Sequence, residues 1–267
     1  MRPPAAPTKA RIAEWKALRD KRRRQAAGRF LVEGFHAVEE ALLAGAPVEE
    51  LLLGEGAARS PAGQRLVGHA REAEVRVVEV PRRVLEALAD AESPQPAMAV
   101  VRAPDPRAPL PVDRDGVLVV LDGIQDPGNA GAVLRTADAF GCAGVVFAKG
   151  TVEPLNPKVL RAAQGSHFHL AVAAGPDAAA AAGAARAAGH RVLAAVSRGG
   201  EPLWELGPRP RRTTIVLGNE ARGPAPATLD ACDARVTIPL RGRAESLGVA
   251  AAAAVILSWL SRPGSPS

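Results

Sequence analysis

Short runs of branched aliphatic residues alternate with helix-forming stretches along most of this chain, and that alternation restricts its architecture more than any other feature. From Val117, VLVVLDG has the uninterrupted apolar character of a strand buried on both faces. NAGAVLRTADAFG then reads as a helix closed by a glycine, GVVFA as a strand, NPKVLRAAQGS as a helix and HFHLAV as a strand. An alanine-rich helix from Asp177 to Gly189 follows, then strands RVLAAV, TTIVLGNE and ARVTIPL, with a short helix near Pro226 to Leu229. Ser246 to Leu260 closes the chain as a helix. Strands joined through helices return to the same end of a sheet, so a mostly parallel α/β sheet covered on both faces is expected.

The first part of the chain repeats the alternation on a smaller scale. FLVEGFHAVEEALLAGAPVEELLLGE reads as strand, helix, strand, and further helices and strands lead to PAMAVVRA. Residues 30–103 therefore form a small α/β domain and residues 116–267 a larger one. The stretch between them, residues 104–115, is rich in proline, which removes backbone donors and fixes φ, so it reads as a semi-rigid linker. Residues 1–29 are a basic arm, with ten Lys and Arg against two acidic residues, while the whole chain carries +6. The rest of the molecule thus sums to a slightly negative charge. A basic arm on a near-neutral body suits a phosphate-rich partner, because each neutralised phosphate releases condensed counterions. Arg2, Arg22, Arg23, Arg24 and Arg29 belong to that arm. The plainer alternative is a solvated helix that aids solubility.

Several functional classes are disfavoured. No run of about 18 apolar residues is present, so no membrane span is expected. The first residues carry charge before any apolar stretch, so no secretory signal is expected and a cytoplasmic location is. Cys142 and Cys232 make neither a disulfide framework nor a zinc site and read as small buried residues. His167 and His169, two apart on an expected strand, would share a face but lack a third ligand, so no metal is expected. No GxGxxG follows a strand and no GxxxxGK[ST] occurs, which disfavours those nucleotide sites.

Ligands of parallel α/β sheets bind beyond the carboxyl ends of the strands. Three segments there combine glycine with polar residues: LDGIQDPGNAGAVLR, LGNEARGP and IPLRGRAESLGVAAAAA. Together they resemble motifs 1, 2 and 3 of the SpoU (TrmH) family of RNA 2′-O-ribose methyltransferases in the SPOUT superfamily. NxGxxxR is matched by Asn129, Gly131 and Arg135, and GxE by Gly218 and Glu220. IPxxGxxxSLN is matched by Ile238, Pro239, Gly242, Ser246 and Leu247, with Gly248 in place of the final Asn. RFLVEGFHAVEEAL and ESPQPAMAV resemble the family's N-terminal substrate-binding module.

The resemblance implies an L30e-like RNA-binding domain before a SPOUT domain with a trefoil knot. It also implies an S-adenosyl-L-methionine cofactor, a homodimer, and RNA as partner rather than DNA or membrane. Ribosomal RNA, 23S in particular, is the expected substrate; a tRNA ribose methyltransferase or a non-catalytic RNA-binding protein of the same fold are the alternatives. By the same resemblance Arg135, Asn129, Glu220 and Ser246 are catalytic, and Leu217, Gly218, Ile238, Pro239 and Leu247 bind the cofactor. Guanidinium groups make poor bases, so Arg135 is expected to stabilise a developing alkoxide and bind the adjacent phosphate. Asn129 and Ser246 also have simpler readings as helix N-caps, and Glu220 as an exposed carboxylate. If the family Asn holds a left-handed backbone, Gly248 replaces it at little cost; if the Asn amide contacts substrate, its replacement lowers activity. Arg22, Arg23, Arg24, Arg29 and Arg135 are the expected RNA contacts.

Overall fold

A computed structural model describes residues 7–91, 93–207 and 210–262. Arg2 and the last residues of the expected 116–267 domain lie outside the described residues. The chain divides into two compact units. Of the described residues, one unit contains those up to Asp105 together with Leu155–Phe168, and the other contains Pro106–Pro154 and those from His169 on. The segment Leu155–Phe168 therefore departs from the expected domain limits, because Leu160 is buried in the core of the first unit.

The first unit opens with α1 (Lys9–Ala17), α2 (Lys21–Ala27), β1 (Arg29–Glu33) and α3 (Phe35–Leu43). It continues with β2 (Val48–Gly54), α4 (Pro61–Glu72), β3 (Arg76–Val80), α5 (Arg82–Leu88) and β4 (Ala97–Arg102). The strands lie in the order β1-β4-β2-β3, with β4 antiparallel to both neighbours and β2 parallel to β3. The pleat sends alternate residues to opposite faces. Leu51, Leu53, Ala97 and Ala99 pack with Val38 and Leu66, whereas Leu52, Met98 and Val100 pack with Trp15, Leu18 and Leu85.

The basic segment is thus not an appended arm but one cover of this sheet. Trp15 is 1% exposed, and its Nε1 donates to Glu50 Oε2 at 2.9 Å, an oxygen that Arg11 Nη2 also reaches at 2.9 Å. Arg24, expected on RNA, is buried and donates from Nη1 to the carbonyl oxygens of Leu18 at 3.1 Å and Arg19 at 2.7 Å. It holds the turn between α1 and α2. Arg29 Nε pairs with Glu49 at 2.7 Å, and Arg22 and Arg23 remain exposed. Trp15→Ala is therefore expected to cost about 3–5 kcal/mol in urea unfolding of the full chain. Arg22→Ala should stay within about 0.5 kcal/mol of the parent.

The second unit contains β5 (Gly116–Asp122), α6 (Pro127–Ala139), β6 (Gly144–Phe147), β7 (Ala171–Ala174), α8 (Ala178–Ala187) and β8 (Arg191–Ala195). Helix α7 (Pro157–Ala163) intervenes in sequence and belongs to the first unit. After β8 come β9 (Glu201–Pro202), β10 (Arg212–Gly218), α9 (Pro226–Asp230), β11 (Ala234–Thr237) and α10 (Val249–Leu260). Seven strands run parallel in the order β7-β6-β5-β10-β8-β11-β9. Leu118, Val120, Val192 and Val216 face the small side chains of α8. The opposite row, including Val119, Val145 and Ile215, is equally buried, and α6 and α10 pack on each other and against β6 and β10.

Three expectations need correction here. Leu110 and Val112, placed in a linker, pack on the core of the second unit, and buried His190 Nε2 lies 2.8 Å from the Val112 carbonyl oxygen. HFHLAV is not one strand: His167 lies in the 3-10 turn Ser166–Phe168, and β7 starts only at Ala171, so the two histidines have no common strand face. His169 Nδ1 instead lies 2.9 Å from Asp138 Oδ2. The closing helix begins at Val249, three residues later than expected. Among the described residues, no helix is long and apolar enough to cross a membrane.

Candidate active site

Strands β5 and β10 are adjacent and in register, with Leu121 opposite Leu217 and Asp122 opposite Gly218. Their loops therefore leave the sheet side by side and are tied by three bonds. Asn219 Nδ2 donates to the Gly123 carbonyl oxygen at 2.9 Å, Asn129 Nδ2 to Glu220 Oε1 at 2.9 Å, and the Ala225 amide to Asp122 Oδ2 at 2.8 Å. Asn219 also shapes its own loop. Its Oδ1 accepts the amides of Ala221 and Arg222, and its carbonyl accepts the amide of Gly223. Thr151 steadies the first loop by accepting from the Gly123 amide and donating to the Leu121 carbonyl oxygen.

The loops after β8, β10 and β11 enclose a cavity of about 600 Å³. Leu217, Ile238, Leu247 and Ile256 give it an apolar wall, while Gly218, Glu220 and Ser246 supply backbone and polar groups. Its size and mixture suit a small organic ligand, which typically occupies pockets of roughly 300–1,000 Å³. Gly218 is required by close approach: a Cβ there would lie 2.0 Å from the Pro224 nitrogen and 2.2 Å from the Gly223 carbonyl carbon. A side chain at 218 would thus displace the loop that forms one wall. Cys232 lies outside the lining, and burial pushes its thiol up to about 11, helped by the Asp233 and Asp122 carboxylates.

Residues 116–258 match the model of the SpoU rRNA Methylase family, and residues 9–99 that of the MRM3-like substrate binding domain. The chain belongs to the SpoU rRNA methylase family. It is 35% identical over 250 residues to the 23S rRNA (guanosine(2553)-2′-O)-methyltransferase RlmP of Bacillus subtilis, covering 94% of this chain and 95% of that protein. It is 33% identical to the 23S rRNA (uridine(2479)-2′-O)-methyltransferase of Streptomyces viridochromogenes, over 93% of this chain and 88% of that one. Among solved structures, the SpoU methyltransferase AviRb from Streptomyces viridochromogenes in complex with the cofactor AdoMet (S-adenosylmethionine) superposes with a TM-score of 0.81 at 30% identity. That match covers 96% of this chain and 98% of AviRb. An AdoMet-bound rRNA methyltransferase from Sinorhizobium meliloti gives 0.83 at 26% identity, over 97% of each chain.

For a SpoU chain, the cavity fits such a cofactor in kind: an apolar wall for adenine and methylene groups, free loop backbone for ring edges, and exposed polar side chains for the amino acid end. Leu217, Gly218, Ile238 and Leu247 line it, as does Ser246, whereas Pro239 is exposed and outside the lining. Glu220 lines it and carries Asn129 by their hydrogen bond, although Asn129 is not itself in the lining. Arg135, on α6, is exposed, outside the lining, and has no hydrogen bond or ion pair among the described residues.

The simpler capping readings fail. Asp126 caps α6, its Oδ1 accepting the Asn129 amide at 2.7 Å, and Gly248 rather than Ser246 occupies the N-cap of α10. Gly248 has φ −57° and ψ 147°, so no left-handed backbone is needed there. Sequence reasoning missed Asn219 and Thr151, as well as Ser197 and Arg198 from the loop after β8. Asn219 stood inside LGNEARGP, where its place beside Gly218 was the available signal.

Proposed function

We propose that this chain transfers a methyl group from S-adenosylmethionine to a ribose 2′-hydroxyl of RNA, with 23S ribosomal RNA in the cytoplasm as its substrate. The observation that carries this is the joining of the β5 and β10 loops beside the 600 Å³ cavity, which links Asn129 to the cavity through Glu220. When bound, S-adenosylmethionine supplies a methyl already activated by its sulfonium. The protein has to align the ribose oxygen with the methyl–sulfur bond and help the hydroxyl lose its proton. Leu217, Gly218, Ile238 and Leu247 hold the donor, and Pro239 stiffens the loop that carries Ile238. Glu220 receives the Asn129 amide on Oε1, leaving its second oxygen to orient a substrate hydroxyl. Ser246, exposed on the cavity rim, bonds the ribose or its phosphate.

Arg135 stabilises the developing alkoxide and holds the adjacent phosphate. Because it lies outside the cavity of its own chain, we read the active form as a homodimer in which Arg135 serves the partner's cavity. The first unit docks RNA, and the second performs the transfer. The test is calorimetric titration with S-adenosylmethionine, followed by tritiated methyl transfer into unmodified 23S ribosomal RNA and mapping of the modified ribose. Binding of the cofactor and one labelled 2′-O position are expected. Cofactor binding without transfer to any RNA would leave a non-catalytic RNA-binding protein and defeat the proposal.

A further inference from the structure

The first unit has a second concavity that the proposed chemistry does not use. It is a cleft of about 290 Å³ where α1, α2 and β4 meet. Its apolar lining comes from Trp15, Leu18 and Val100, which are almost fully buried beneath it, and from the more accessible Ala17, Ala26 and Ala27. Three arginines, Arg11, Arg23 and Arg29, and one carboxylate, Glu14, stand around it. Two of the arginines are held in place by carboxylates: Arg11 by Glu50 and Glu14, Arg29 by Glu49. The Arg23 side chain has no ion pair or hydrogen bond among the described residues, and neither has that of its exposed neighbour Arg22.

We propose that this cleft receives one unstacked base of the RNA, with Arg23 on its phosphate. The inference rests on the reading of RNA as substrate. A free phosphate has no use for an apolar lining, and an aliphatic ligand has no use for an arginine rim; a nucleotide uses both. The volume is adequate, since a cavity of about 150 Å³ already admits benzene. Clamped guanidinium planes offer stacking surfaces, and single-stranded RNA is read chiefly by such stacking of splayed bases. Residues 9–29, which include α1 and α2, carry nine basic and two acidic residues, an excess opposite in sign to the backbone they would meet.

The experiment measures binding of the full-length protein to a labelled single-stranded RNA decamer and to an abasic ribose-phosphate decamer of equal charge. The parent should prefer the base-bearing strand by at least about fivefold. Ala26→Leu, on an exposed helical position, fills the cleft and should erase that preference without changing the salt slope. Arg23→Gln should keep the preference and lower the slope by about 0.7. In methyl transfer, Ala26→Leu should raise KM for RNA with kcat kept. The proposal is overturned if the parent binds both decamers equally, if Ala26→Leu behaves as the parent, or if polyglutamate of matched charge competes as well as RNA. A parent that methylates no RNA but still prefers the base-bearing decamer would sink the methyltransferase reading alone.

Discussion

Arg135→Ala should reduce methyl transfer by about 10²–10³-fold, the usual cost of removing one group that stabilises charge developing in a transition state. Calorimetric affinity for S-adenosylmethionine should be unchanged, since Arg135 is outside the cavity of its own chain and is assigned to the alkoxide and phosphate of the RNA rather than to the cofactor. The more searching form of the experiment uses two defective chains. Ser246 is exposed and lines the cavity, so Ser246→Trp should block cofactor entry without disturbing the core. Each variant alone is then inactive. If Arg135 serves the partner's cavity, a mixed dimer holds one complete site: the cavity of the Arg135→Ala chain beside the arginine of the Ser246→Trp chain. Equal mixing and exchange should restore about a quarter of parental activity. No recovery on mixing, with exchange verified by sedimentation of tagged chains, would return Arg135 to its own subunit.

The architecture was legible because its cause is local: uninterrupted apolar strands alternating with helices leave little choice but a parallel sheet. The turns after β5 and β10, beside Asn129, Gly218 and Glu220, were legible because glycine and polar residues cluster just past buried strands. The role of the N-terminal segment was hidden by its charge. Ile12, Trp15 and Leu18 recur every third residue, a single helical face, but the basic residues on every side of them mask that short spacing. Arg24 shows the same effect, since a guanidinium that satisfies two carbonyl oxygens in a turn looks identical, in sequence, to the exposed arginines beside it. The loop after β8 was missed because Ser197 and Arg198 carry no spacing signal; they reach the cavity only through the strand order that puts β8 between β10 and β11. Strand HFHLAV failed for a different reason. Its alternation was real, but Gly165 lies at φ +96° and turns the chain just before the histidines, so they enter a 3-10 turn.

Gly218→Ala should abolish cofactor binding, lowering S-adenosylmethionine affinity by at least about a hundredfold, with a loss of about 1–3 kcal/mol in stability from overpacking. The added methyl would meet the backbone nitrogen of Pro224 at 2.0 Å, and neither side can yield easily. Gly218 is the last residue of β10, paired with Asp122, while Pro224 lies between Gly223 at φ +67° and the Ala225 amide held by Asp122. Relief must come from opening the 219–223 turn, which breaks the bonds Asn219 makes to the Gly123 carbonyl and to its own loop and carries Glu220 away from Asn129. The control is Gly248→Ala. That glycine has open space around the Cβ position and an ordinary extended backbone, so alanine there should leave cofactor affinity as in the parent. Normal binding by Gly218→Ala in calorimetry would mean that the β10 turn is not a wall of the cofactor site, and the cavity would have to be reassigned.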